Sequence, residues 1–406
     1  MNLAFLYAKP HQWHTKPFGF AAAVLCASII TLAGSPPANA QTPGSPVLTA
    51  TATASRSPVN ATGSMHITPT LTVSCPVGIN HYDRTHECWL QSITFVFRNS
   101  KGAPVGSTVI TLFQYITFHG NALSWSEEDV VTSVKSKRKT APISGALDVS
   151  CGASPCTANP NFNPSPIKVG SRGSVSYVDR LPGGKYEKTF NLYILEWSAP
   201  GVMVQSVPAW STPWVYRCDN GVATIGEGCV TNYTPTLGLS VRNAGASAAL
   251  FRWTQLHMDA HWGLKGKGNP LTRASMSTAA GNRNTVCDST FKRKGTVIVH
   301  GGANDKDSCD EFPFAATNQS GASQLKAKGE KGTACAQLQS VRTANSGTEA
   351  EQWGNVKVIG TPKYSAPCVR GHIPSKLNNS TGGSYRAFIQ SQRLFVDDAF
   401  WVSVGP

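Results

Sequence analysis

Eleven cysteines in 406 residues restrict this chain more than any other feature. Cys26 falls inside an apolar N-terminal run, and the other ten lie in sequence-local groups. In a chain that leaves the reducing cytosol, an even set of this kind implies a disulfide framework. The spacing suggests Cys75 with Cys88, Cys151 with Cys156, Cys218 with Cys229, Cys287 with Cys309 and Cys335 with Cys368, although sequence does not determine connectivity. Zinc is the rival use of cysteine. No C-x-x-C pair occurs and no histidine stands nearby at zinc spacing, which argues against it.

Export is read from the first 40 residues. Lys9, His11, His14 and Lys16 precede the apolar run Phe18 to Leu32, and Ala38-Asn39-Ala40 forms an A-x-A site, so cleavage after Ala40 is predicted. Val24-Leu25 places no small residue before Cys26, which disfavours a lipid anchor. No later stretch approaches the roughly 18 apolar residues of a spanning helix, so a secreted, soluble protein is expected. Its charge is 36 Lys+Arg against 22 Asp+Glu, or +14. That balance suits a polyanionic partner, and equally a basic secreted protein that has none.

Residues 41–64 are Thr-, Ala-, Ser- and Pro-rich and read as a flexible leader. From 65 to 213, short alternating segments such as Ile93 to Phe97, Ser107 to Thr117, Ser174 to Val178 and Phe190 to Trp197 predict an all-β, sandwich-like domain. The charged stretch Ser126 to Thr140 reads as a short helix ending in a basic loop. A boundary falls at Trp210 to Trp214, and 214–406 reads as a separate α+β domain. Within it, Ala249 to Gly263 has a rough helical period that places His257 on or beside a buried face. His257 is a candidate acid–base group, with a purely structural hydrogen bond as the alternative. Val356 to Gly360 reads as a strand, Ser384 to Gln390 as a short helix, and the last residues as a turn and strand.

The chemistry concentrates in Asn304 to Thr317, where the adjacent acids Asp310 and Glu311 stand between Cys309 and the apolar Phe312-Pro313-Phe314-Ala315. An oxidised Cys309 and two core-seeking rings would fix where the carboxylates point, and held carboxylates bind divalent ions or act as general bases. Residues 309–315 resemble the C-D-E-[YFW]-P-[FM]-A signature of the NucA/NucB family of secreted deoxyribonucleases. Weaker ordered likenesses extend from Trp214 to Val404, including Leu271-Thr272-Arg273, Asn282-Arg283 and the Asn378-to-Arg393 segment.

That resemblance implies an α+β core of the ββα-metal type and a metal-dependent endonuclease using Mg2+ or Mn2+. Asp310 and Glu311 would occupy the strand position where related enzymes carry a histidine base. Glu311 and Asn379 would hold the ion, with Asn378 a possible substitute; which carboxylate is the base is not legible. Cys309 stands where shorter members carry an arginine, so Arg273, Arg283 or Arg386 would have to contact phosphate. The expectation is a monomeric, secreted deoxyribonuclease that binds the DNA backbone without reading sequence. The alternatives are a catalytically inactive exported protein that binds DNA or another polyanion, and a structural envelope protein.

Overall fold

The computed structural model describes residues 48–405 except 59–63, 69–70, 153–155, 182–186, 223–224, 295–305, 343–352 and 354. The signal sequence and its cleavage site lie outside the described residues. Those described hold two hydrophobic cores within one compact unit, residues 46–406.

Alternation builds the first core. The long strands His86–Arg98, Pro104–Phe118 and Ser124–Arg138 pair antiparallel at the centre of an eight-stranded sheet. They send Phe95, Phe97, Ile110, Ile116, Trp125 and Val131 to one face. A second sheet, Ser144–Ser150, Leu192–Ser198 and Ala209–Ser211, covers that face with Leu147, Tyr193, Leu195 and Trp197. Two readings change here. Leu48–Arg56, placed in the flexible leader, is a strand paired along its length with His86–Arg98, because its alternating Ala residues are small enough to sit under the sandwich. The stretch read as a helix at 126–140 is strand Ser124–Arg138. Its period of two was hidden because two of its inward positions are acids, Glu127 and Asp129, which accept hydrogen bonds in the core from Gln114, and Glu127 also from Tyr177 and Tyr193.

The disulfide hairpin Tyr216–Asp219 with Gly228–Thr231 pairs with Glu187–Thr189 and buries Tyr216, Cys218 and Cys229 in the first core. It was read as opening the C-terminal half, but its side chains belong to the β half.

The second core is α+β. A four-stranded sheet runs in the order Asp307–Phe312, Val369–Pro374, Ala336–Val341, Asn355–Val358. Helix α1 (Val241–His257) and helix α4 (Ser375–Ser391) pack Leu250, Phe251, Leu377 and Tyr385 onto it. Close approach is possible because Gly371 has no side chain; a Cβ there would meet Leu250 Cδ1 at 2.1 Å. Helix α2 (Met276–Val286), capped by Ser275, and the short α3 (Ala322–Ala327) complete the unit. α1 starts eight residues before the expected Ala249 and ends at His257, so 258–263, read as helix, are turns; α4 is longer than expected. α4 continues upstream through Gly382-Gly383, which local propensity disfavours, because Leu377, Thr381 and Tyr385 repeat at four-residue spacing and are buried.

Buried arginines lock the two cores. Arg393, fully buried, donates to Asp219 Oδ1 and Gly226 O at 2.6 Å each and to Gly120 O at 2.8 Å. Arg84 and Arg217 both reach Asp398, at 2.9 and 2.8 Å. Buried ion pairs contribute little net stability, but breaking one costs about 3–5 kcal/mol, so this cluster holds the geometry between the halves.

Candidate active site

Asp307–Phe312 is the outer strand of its sheet, and this position makes the site. Successive strand residues point to opposite faces, so Asp310 turns toward α1 and Glu311 toward α2. At this edge, which has no further partner strand among the described residues, both carboxylates still reach one cleft, of about 80 Å3, lined also by Phe251, Arg283, Asn378 and Tyr385. The volume admits two or three waters or a partly hydrated ion at about 30 Å3 per water, and no nucleotide. A bound polymer would lie across the mouth. Phe312 and Phe314 anchor the strand from behind, packed edge to face at 5.1 Å and both against Phe251. Burying each ring contributes about 1.5–3 kcal/mol.

The carboxylates differ in their surroundings. Asp310 Oδ2 accepts from Ser247 Oγ at 2.8 Å and Oδ1 from the Glu311 amide at 3.1 Å. Burial pushes its carboxyl up to about 6, against the pull of Ser247 and Arg283. Burial pushes Glu311 further, up to about 7, with the Asp310 charge adding to the effect and Arg283 opposing it. Arg283 Nη2 lies 3.2 Å from Glu311 Oε1, but the approach does not form a hydrogen bond, so Oε1 is a buried acceptor without a donor. Glu311 Oε2 lies 3.1 Å from Cys287 Sγ. That sulfur is bonded to Cys309 and carries no proton, so the contact is not a hydrogen bond either.

The expected site residues are only partly assembled. Arg283 is at the cleft, with its side chain about half exposed. Arg273 is instead spent on the chain's own backbone at Leu394, and Arg386 is an exposed residue of α4 outside the cleft lining. His257 is exposed rather than buried. Its Nδ1 bonds Trp253 O at 2.8 Å and its ring stacks on Trp253, away from the cleft-lining residues. The asparagine at the site is Asn378, one residue before the expected Asn379, which is exposed. Because α4 already begins at Ser375, residue 378 falls on the face toward the strand, where its Nδ2 donates to Cys309 O at 3.0 Å and Ser308 Oγ at 3.1 Å.

Two supporting groups went unread in sequence, and a third, Asn282, was noted only within the Asn282-Arg283 likeness. Ser247 lies just upstream of the expected helix start at Ala249, in the part of α1 that follows the non-helical Gly245. Asn282 donates to Ala315 O at 2.8 Å and Thr317 O at 3.2 Å, tying α2 to the loop after the acids. His372, paired in register with Cys309, meets buried Asp307 at 2.6 Å.

All five cysteine pairs suggested by spacing are disulfides here. Cys287, Cys309 and Glu311 bring ligand atoms within 4.8 Å of one another, but sulfurs engaged in a disulfide are not thiolate ligands. The oxygens of Asp310, Glu311 and Asn378 form the set that suits a hard divalent ion. The Cys287–Cys309 bridge closes a 22-residue separation, for about 3 kcal/mol on the entropic view, and joins the end of α2 to the residue before Asp310. Its reduction, or Cys309→Ser, should lower DNA cleavage about 100-fold, as ångström-scale misplacement does, before the β half loses its near-ultraviolet circular dichroism. Activity indifferent to reductant, with Cys309 alkylated as a free thiol, would contradict this.

No curated protein and no solved structure matches the chain. The family description Deoxyribonuclease NucA/NucB does match, over residues 258–358, a span that holds Arg283, Asp310 and Glu311. Within the C-terminal half, residues 258–358 are therefore similar to the NucA/NucB deoxyribonuclease domain.

Proposed function

We propose that the chain is a secreted, metal-dependent endodeoxyribonuclease that hydrolyses the phosphodiester bonds of extracellular DNA without reading sequence. One observation carries the reading: within the family-matched span, two buried carboxylates and an arginine converge on one cleft. Strands Asp307–Phe312 and Val369–Pro374, separated in sequence by α3 and two further strands, pair antiparallel in space, and α4 follows the second directly; this placement of two strands and a helix supports a ββα-metal-like core. Five disulfides fit an oxidising compartment, and among the described residues no helix is long and apolar enough to cross a membrane.

Glu311, whose Oε1 lacks a donor, would hold a magnesium or manganese ion together with Asn378. Such an ion supplies charge neutralisation for the phosphate and its leaving oxygen. Asp310, aimed by Ser247 and raised toward neutrality, is placed to accept the proton of the attacking water. Arg283 presents its guanidinium to a phosphate oxygen. Its half-exposed side chain has room to leave Glu311 for substrate. The mature protein should convert supercoiled plasmid to nicked and linear forms with Mg2+ or Mn2+, and chelator should stop it. Salt-dependent DNA retention without cleavage under any divalent ion would instead identify an inactive binder.

A further inference from the structure

Six cations gather at the end of the central sheet farthest from the nuclease half. Strand Ser124–Arg138 ends in Lys135, Lys137 and Arg138, with Lys139 next; the turn between the two preceding strands adds Arg98 and Lys101. Register puts Val96, Ser107 and Lys137 in one row across three strands. Phe95, Phe97 and Ile110 face the core, and beyond the register shift at Thr111/Leu112 Lys135 pairs with Val109 and Lys137 with Ser107, so Val96, Arg98, Lys135 and Lys137 share the outer face. All but Arg98 are exposed, and none of the six forms an ion pair among the described residues. No Asp or Glu occurs between Glu87 and Glu127, or between Asp129 and Asp148, so these strands bring no acid to that end. On the neighbouring strand the outer positions are neutral: Thr49, Thr51 and Thr53.

The other end of the same strands is clamped to the C-terminal half. In the turn before Ser124, Gly120 O accepts from Arg393 of the C-terminal half, and beside it His119 O accepts from the Cys229 amide of the disulfide hairpin. Between that turn and Lys137 the strand runs some 45 Å at about 3.3 Å per residue. The cation row therefore stands up to about 13 base pairs of duplex away from that clamp, at 3.4 Å per pair.

We propose that this row is a second DNA-backbone site, an exosite that holds the flank of a long duplex while another part of the molecule lies at the Asp310–Glu311 cleft. The identity of the ligand as DNA rests on the function proposed above. Alternating lysines on a rigid sheet suit phosphates and carry no base-reading group. They would act on capture of long DNA and leave the chemical step unchanged.

The test compares the full mature chain with its Lys135→Thr, Lys137→Thr, Lys139→Thr variant, threonine being compatible with a strand. Binding of a 40-base-pair duplex is followed by fluorescence anisotropy without metal, and cleavage of 40- and 10-base-pair duplexes with metal. The slope of log affinity against log salt should fall by about 2–3, as expected for three lost phosphate contacts. KM for the long duplex should rise about tenfold with kcat unchanged, and kinetics on the short duplex should not move. An unchanged salt slope, or an equal loss on both lengths, overturns the exosite. If neither protein cleaves DNA, the nuclease reading fails, and the anisotropy slope alone then decides whether this face holds DNA.

Discussion

Glu311→Gln and Asp310→Asn should each lower plasmid cleavage by about 10^2- to 10^4-fold, the range for loss of a general base or of charge stabilisation in a dry site. The effects should not add, because the two groups serve one reaction centre. Their signatures should differ. Glu311→Gln removes a carboxylate whose Oε1 accepts no hydrogen bond, so excess Mn2+ should recover part of its activity; Asp310→Asn keeps the contact to Ser247, so added metal should not help. Both substitutions keep shape and remove a buried charge, so loss of activity should come with an intact fold, checked by circular dichroism. A double Asp310→Asn, Glu311→Gln protein that cuts at the wild-type rate would remove the site from consideration.

The same two carboxylates should make activity and stability move in opposite directions with pH. Burial holds Asp310 near 6 and Glu311 near 7, above the 3.8 and 4.5 of solvated groups. From about pH 4 to 7 the folded state therefore binds more protons at these positions than the unfolded state, and their contribution to stability falls as pH rises. Below pH 4 both states are protonated and the contribution vanishes. Metal-free wild type should then be less stable than the double Asn/Gln variant by a few kcal/mol at pH 8, with the gap closing near pH 4. Urea unfolding at the two pH values in chelator measures the difference directly, and the comparison cancels every other titrating group. Cleavage should instead rise through pH 6–7 as the base ionises, with the limb moving lower at saturating Mg2+ because a cation favours the charged carboxylates. Adding Mg2+ at pH 8 should restore stability to wild type and not to the variant. Equal stabilities at pH 8 would mean that the carboxylates are not held in the dry setting described.

Much of this was legible in the chain because it is local. Cysteines close in sequence pair with near neighbours, and a run such as Asp310-Glu311-Phe312-Pro313-Phe314 carries its anchors beside its acids, so the disulfides and the position of the site could be read residue by residue. Helix limits were less legible. The extra turns of α4 rest on burial of Leu377 and Thr381 against strands far away in sequence, and that shift exchanged Asn379 for Asn378 at the cleft. Strand Ser124–Arg138 was misread because Glu127 and Asp129 look solvated until Tyr177 and Tyr193 arrive from other strands to hydrogen-bond in that half.

Sequence alone determined which groups this protein has for chemistry, since a carboxylate pair and its anchoring rings are covalently adjacent. Tertiary structure decided which distant groups serve them. Ser247 lies 63 residues from Asp310, and Arg283 and Asn378 reach the pair from α2 and α4. Only the packing of three helices around one strand brings these side chains to one cleft, and the same packing leaves His257, Arg273 and Arg386 elsewhere.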